Sequence, residues 1–168
     1  MGYTTTFIGK INIEPVLNAE EIDYLNKFSG TRRMNRIKGP YYVDNAGMAG
    51  QDHEEDILNY NQPPDGQPGL WCQWVPTEDG SALVWDEVEK FYDAAEWMKY
   101  LIEHFLKPGP IAKSIEPDRF TFLRGHTLSG VIEAQGEESD DRWDLVVADN
   151  KVMTRQYHFI PEEDCTDV

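Results

Sequence analysis

Three arginines within five positions, Arg32, Arg33 and Arg36, are the first side chains whose type and spacing could do chemistry. A guanidinium is planar, permanently charged and shaped for bidentate contact with phosphate or carboxylate. Residues 31–38 hold four of the fifteen basic residues, and no acid occurs between Tyr24 and Val43. Further on, Asn59, Asn61, Gln67 and Gln73 offer neutral donors and acceptors, and Trp71 and Trp74 offer flat stacking surface. Arginine, amide and indole together are what a pocket for a nucleotide-like small molecule requires. The competing uses are plain: arginines pair with carboxylates of the same molecule, and tryptophans fill cores. A spacing of three puts Trp71 and Trp74 on opposite faces of an ideal strand, so without a bulge at most one faces a ligand.

Motifs for catalysis are missing from the chain. It contains no G-x-S-x-G, no cysteine near a histidine in sequence and no glycine-rich loop opening a helix. Residues 53–56, His-Glu-Glu-Asp, resemble a metal cluster, but adjacent loop residues rarely converge on one ion and no second histidine lies at ligand spacing. The acidic turn at residues 137–141 could attract a hard cation, yet it lacks the glycine and ligand alternation of an EF-hand loop. His104 falls beside an apolar helical stripe, and His126 and His158 fall in or beside strands with no evident partner. No catalytic residue, metal ligand or cofactor is assigned.

The chain has 168 residues and a net charge of −16, with 31 acids against 15 bases. Such charge keeps a surface solvated and self-repelling; in a sharper use it presents an acidic face to a basic partner, as a nucleic-acid mimic does. Direct DNA or RNA binding is disfavoured, because the field repels phosphate. No run approaches the ~18 apolar residues of a membrane span, and the MGYTTTF start lacks a basic and apolar leader. Cys72 and Cys165 stand too far apart in character to suggest a disulfide framework. The expectation is one cytoplasmic domain over residues 1–168, with a flexible acidic tail at 161–168.

These side chains need elements to hold them. Phe7, Ile11 and Ile13 alternate as in a strand with one buried face, ended by Pro15. Asn18 with Glu21 three residues on is close to a capping box, for a helix that stops at Ser29 and Gly30. Residues 39–69 are loop-like, with Tyr41-Tyr42-Val43 a possible short strand. Residues 70–85 read as a hairpin turning at 77–80. Asp93 then caps a helix whose stripe is Trp97, Met98, Leu101, Ile102, Phe105 and Leu106, ended by Pro108. Strand signals follow at residues 120–123, 128–135, 142–148 and 151–160, with Asp149-Asn150 a two-residue turn. The sum is an α+β two-layer sandwich: a mostly antiparallel sheet with two helices on one face.

Four runs carry a resemblance over nearly the whole chain: FIGKINIEPVLNAEEIDYLNKFSGTRRMNR, YNQPPDGQPGLWCQWVPTEDGSALVWD, EKFYDAAEWMKYLI and GVIEAQGEESDDRWDLVVADNKV. They resemble a family of small uncharacterised proteins encoded by phages and bacteria, and QPGLWCQWVPTEDG is the specific part. The resemblance implies a phage or prophage accessory gene expressed in the host cytoplasm, a context in which blunting host defence is a common task. It transfers no activity and no catalytic residue.

The reading is a phage accessory protein that acts by binding, with a host protein or a small nucleotide-like signal as target. A metal-dependent hydrolase working through Asp140 and Asp141 is the second reading, and a virion structural or assembly protein the third. The amide- and proline-rich loop at residues 59–69 is the expected functional surface, with the hairpin after it fold-forming.

Overall fold

The computed structural model describes residues 2–44, 54–157 and 163–167. Residues 45–53 and His158 lie outside the described residues, so the histidine of the 53–56 cluster and the histidine at 158 are not placed, whereas Glu54, Glu55 and Asp56 are.

The architecture is an α+β sandwich built on a mostly antiparallel sheet. The strands are β1 (Thr6–Glu14), β2 (Asn35–Arg36), β3 (Ile57–Asn59), β4 (Trp74–Pro76), β5 (Ala82–Trp85), β6 (Thr127–Gln135), β7 (Arg142–Ala148), β8 (Lys151–Tyr157) and β9 (Glu163–Asp167). Seven of them form one sheet in the order β4-β5-β1-β6-β7-β8-β9, and β2 pairs with β3 separately. The alternation read from Phe7, Ile11 and Ile13 is the buried face of β1, and Leu128, Ile132 and Ala134 continue that face on β6. The opposite face carries Ile8 and Val131 in the open.

Two glycines let β1 and β6 approach closely. Gly9 and Gly130 both have positive φ, 120° and 152°, and a Cβ on either would lie 2.7 Å from a carbonyl oxygen of the other strand. No L side chain fits there without moving backbone.

Helix α1 (Ala19–Ser29) starts and stops where the sequence places it. Asn18 accepts from the Glu21 amide at 2.8 Å and the Glu21 carboxylate accepts from the Asn18 amide at 3.0 Å, a complete capping box. Helix α2 (Ala94–Leu101) and the turn that continues it share the apolar stripe, three residues each, and all six stripe residues are buried. The helix passes into a π-helical turn, Ile102–Leu106, closed by the Lys107 amide on the Ile102 carbonyl at 2.8 Å. A third short helix, α3 (Ile111–Ile115), follows Pro110.

The aromatic core is organised about two rings. Phe7 meets Trp74, Trp85, Phe91 and Trp143 edge-on at centroid distances of 5.3–6.1 Å. Phe105 meets Tyr24, Phe28 and Tyr41 at 5.1–5.4 Å. Each such pair is worth roughly 0.5–1.5 kcal/mol beyond the area it buries.

Four local expectations are corrected. Residues 70–73 are outside the hairpin, which begins at Trp74. Residues 41–43 and 120–123 form turn or irregular backbone instead of strands, because Pro40 and the turn around Asp118 break pairing. The tail does not run free after β8: Glu163–Asp167 pairs with it, Cys165 opposite Arg155. Asp93 does not cap α2, since it adopts a left-handed φ of 58° that turns its carboxylate away from the helix amides.

Candidate functional site

A cleft of about 670 Å³ lies between three segments. Its floor is the C-terminal end of α1, Ser29 and Gly30; one wall is Gly69, Leu70 and Trp71; the other runs from Asp86 to Asp93. Volumes of ~300–1,000 Å³ are typical of small-ligand and side-chain pockets. Leu70, Trp71, Val88 and Tyr92 make it mainly apolar, and Val88 and Tyr92 stay 56% and 54% exposed.

The second wall is strained. Glu87, Lys90 and Asp93 have positive φ values of 69°, 63° and 58°, within seven consecutive residues. None is glycine, and a left-handed L residue costs roughly 1–2 kcal/mol. Such strain persists where surrounding structure over-determines it, and it collects at functional sites. Gln73 supplies the constraint. It is buried, its carbonyl accepts from the Asp86 amide at 3.0 Å, and its side chain donates to the Glu89 carbonyl at 3.4 Å. The Trp85 indole donates both to the Gln73 side-chain oxygen at 3.3 Å and to the Val88 carbonyl at 3.2 Å.

The cleft is electronegative. Asp86, Glu89 and Asp93 line it against the single cation Lys90. Burial raises the Asp86 carboxyl above its ordinary range, opposed by main-chain hydrogen bonds at Asp86 and Val88. The floor adds the negative end of the α1 dipole. Behind Gly69 lies Trp97, 0% exposed, whose indole N–H has no acceptor among the described residues. A Cβ on Gly69 would sit 3.7 Å from that nitrogen and 3.8 Å from the Asp93 carboxylate.

The nine residues selected from sequence separate into different places. Trp71 and Gln73 line the cleft. Trp74 is 1% exposed and donates to the Ala94 carbonyl at 2.8 Å, so its indole belongs to the core. Gln67 is buried and bridges the Pro40 carbonyl at 2.7 Å and the Tyr100 hydroxyl at 3.0 Å. None of the three arginines lines the cleft. Arg33 is buried on the Phe28 ring and donates to the carbonyls of Thr31, Pro40 and Tyr42; burial lowers its pKa to about 10, still a cation at neutral pH. Arg36 pairs with Asp56 at 3.3 Å and Glu54 at 3.4 Å. Arg32 lies on the Tyr60 ring and reaches Asn61 at 3.4 Å, while Asn59 bonds to Gln62 at 3.1 Å. The arginines therefore knit residues 31–42 to residues 54–61, and the anion clamp expected with the indoles is not assembled.

Other titratable groups are structural. His126 is 2% exposed, with one ring nitrogen 2.6 Å from the Pro15 carbonyl and the other 2.7 Å from the Glu21 carboxylate. Two acceptors on one ring require both nitrogens protonated, so this is a buried imidazolium–carboxylate pair. Burial opposes both charges, but the contacts outweigh it, raising His126 and lowering Glu21. His104 stacks on Tyr100 at 3.8 Å and shares a hydrogen bond of 2.6 Å with the Tyr41 hydroxyl; burial first, then Lys107, lowers its pKa to about 4 and keeps it neutral. In the acidic turn, Asp141 accepts from Tyr3 at 2.6 Å and Glu137 from the Thr4 amide at 3.0 Å, tying down the N-terminal segment. Among the described residues no group of three or more His, Cys, Asp or Glu is placed to hold a metal ion. No helix of the described residues is long and apolar enough to cross a membrane.

Compared with protein-family models, curated proteins and solved structures, the chain matches none.

Proposed function

We propose that the protein acts by binding, with the cleft between α1, residues 69–71 and residues 86–93 as its site and a partner protein as its target. One observation carries the reading: an apolar cleft has one wall built from three non-glycine residues in left-handed conformation, held there by a buried glutamine. A chain keeps such a wall for its shape, since relaxing it would stabilise the fold. The balance of charge favours a protein over a phosphate-bearing signal, because carboxylates outnumber Lys90 in the lining and the arginines are engaged elsewhere. In the context that the resemblance implies, the partner is a host protein in the bacterial cytoplasm, and counter-defence is the role.

The test is a photo-cross-linking amino acid placed at Val88, in the cleft, and separately at Val131, on the open sheet face. Capture of one host protein from Val88 and not from Val131 is the expected result. Equal capture from both positions, or none from Val88, overturns the reading.

A further inference from the structure

The cleft specifies the chemistry of what enters it. Negative charge reaches it from two independent sources, the carboxylates of Asp86, Glu89 and Asp93 and the C-terminal end of the eleven-residue helix α1. The single cation of the lining, Lys90, is outnumbered by these three carboxylates, and its stem also packs on the N-terminal segment, Cδ and Cε 2.7 and 3.0 Å from where a Cβ on Gly2 would stand. Trp71 adds an indole in the lining, the best of the aromatic faces for a cation. An apolar stem ending in an ammonium or guanidinium satisfies all of these.

A second feature narrows the class. The Trp97 indole N–H is fully buried without an acceptor among the described residues, directly behind the one residue of that wall that has no side chain. A buried donor left without a partner keeps its desolvation cost, which an oxygen arriving at the Gly69 notch would offset. A simple amine brings no such oxygen. A peptide brings a carbonyl at every residue.

Resting on the cleft as the binding site, we propose that it receives a basic segment of a partner protein. An arginine or lysine side chain lies among Asp86, Glu89 and Asp93 against Trp71, and a main-chain carbonyl of the same segment accepts from Trp97.

Three probes separate the parts of this proposal when titrated into ¹⁵N-labelled protein: acetyl-Leu-Arg-Leu-amide, its norleucine analogue, and agmatine, a guanidinium with no carbonyl. The arginine peptide is expected to bind at least tenfold more tightly than either of the others, shifting the Trp97 indole resonance, with a preference that weakens as salt is added. Gly69→Ala places its Cβ at ordinary contact distance, so the melting temperature holds while affinity for the arginine peptide falls at least tenfold. Asp86→Asn combined with Glu89→Gln removes the preference over norleucine. Equal binding of the norleucine peptide overturns the cation part, and equal binding of agmatine overturns the peptide part; either leaves the cleft as a site. If no probe moves cleft resonances while Val88 still cross-links a host protein, the basic-segment proposal fails alone; if Val88 is silent too, both readings fail.

Discussion

Replacing Glu21 by glutamine removes one charge from a side chain that is 0% exposed and hardly changes its shape. In the native protein one carboxylate oxygen accepts from the Asn18 amide, and the other from His126 at 2.7 Å and from the Arg124 amide at 3.2 Å. Glutamine can accept on one side only. Whichever way its amide turns, an N–H meets another N–H. Removing one partner of a buried ion pair costs about 3–5 kcal/mol, because the remaining charge is stranded. His126 escapes part of that by deprotonating, which puts the expected loss near 3 kcal/mol, or on the order of 10 °C in melting temperature for a chain of this size. The pH dependence distinguishes this from loss of packing. The folded His126 is raised above its ordinary value of 6.5, so its share of the stability is complete below that value and is lost as pH rises through the folded pKa. The folded Glu21 is lowered below 4.5, so its share is complete above that value and is lost as pH falls through the folded pKa. The gap between native protein and variant is therefore widest between pH 4.5 and 6.5 and narrows in alkali, where neutral His126 can accept from the new amide. Thermal melts followed by circular dichroism from pH 5 to 9.5 measure it. A gap that stays constant across that range, or one under about 1 kcal/mol at pH 6, refutes the buried ion pair.

Two further substitutions test the backbone. Glu87→Gly relieves a left-handed residue at an exposed position; against the extra unfolded-state freedom of glycine, the net expectation is a gain of about 0.5–1 kcal/mol in urea unfolding. Gly130→Ala puts a methyl group 2.7 Å from the Lys10 carbonyl, with an expected loss of about 2–3 kcal/mol in the same assay; a neutral outcome would mean that β1 and β6 do not approach as described.

What could be read from sequence was local. The Asn18–Glu21 box is spelled within four residues, and the stripe from Trp97 to Leu106 within ten, so both were legible. The π-turn was not, because apolar pairs four residues apart fit α and π turns alike, and only the Lys107–Ile102 bond separates them. The Glu21–His126 pair joins residues 105 apart, which no periodicity announces. At the site, residue type singles out Trp71 and Gln73, whereas residues 86–92 of the wall opposite them carry no motif. Glutamate and lysine at positions 87 and 90 give no hint of positive φ, and Asp93 looked like an ordinary cap. The arginines misled for a related reason. Residue type says that a guanidinium will find acceptors; it does not say whether those are a ligand's oxygens or, as for Arg33, the carbonyls of its own loop.

The place of β1 in the sheet bears on how the chain is made. Its partner on one side is β6, with Ile11 opposite Gly130, 119 residues later (130 − 11). At translation rates of ~5–20 residues per second, β1 waits on the order of 10 s before that partner leaves the ribosome. The meander of β6, β7 and β8 has no such delay, since its neighbours are joined by short turns. Assembly is thus a late insertion, in which β1 slots between β5 and the later-made meander. Through that interval an isoleucine-rich strand has its β6 edge open, and until β5 is made the other edge is open too. Gly9 and Lys10 interrupt its centre, and both features discourage the strand from pairing with copies of itself.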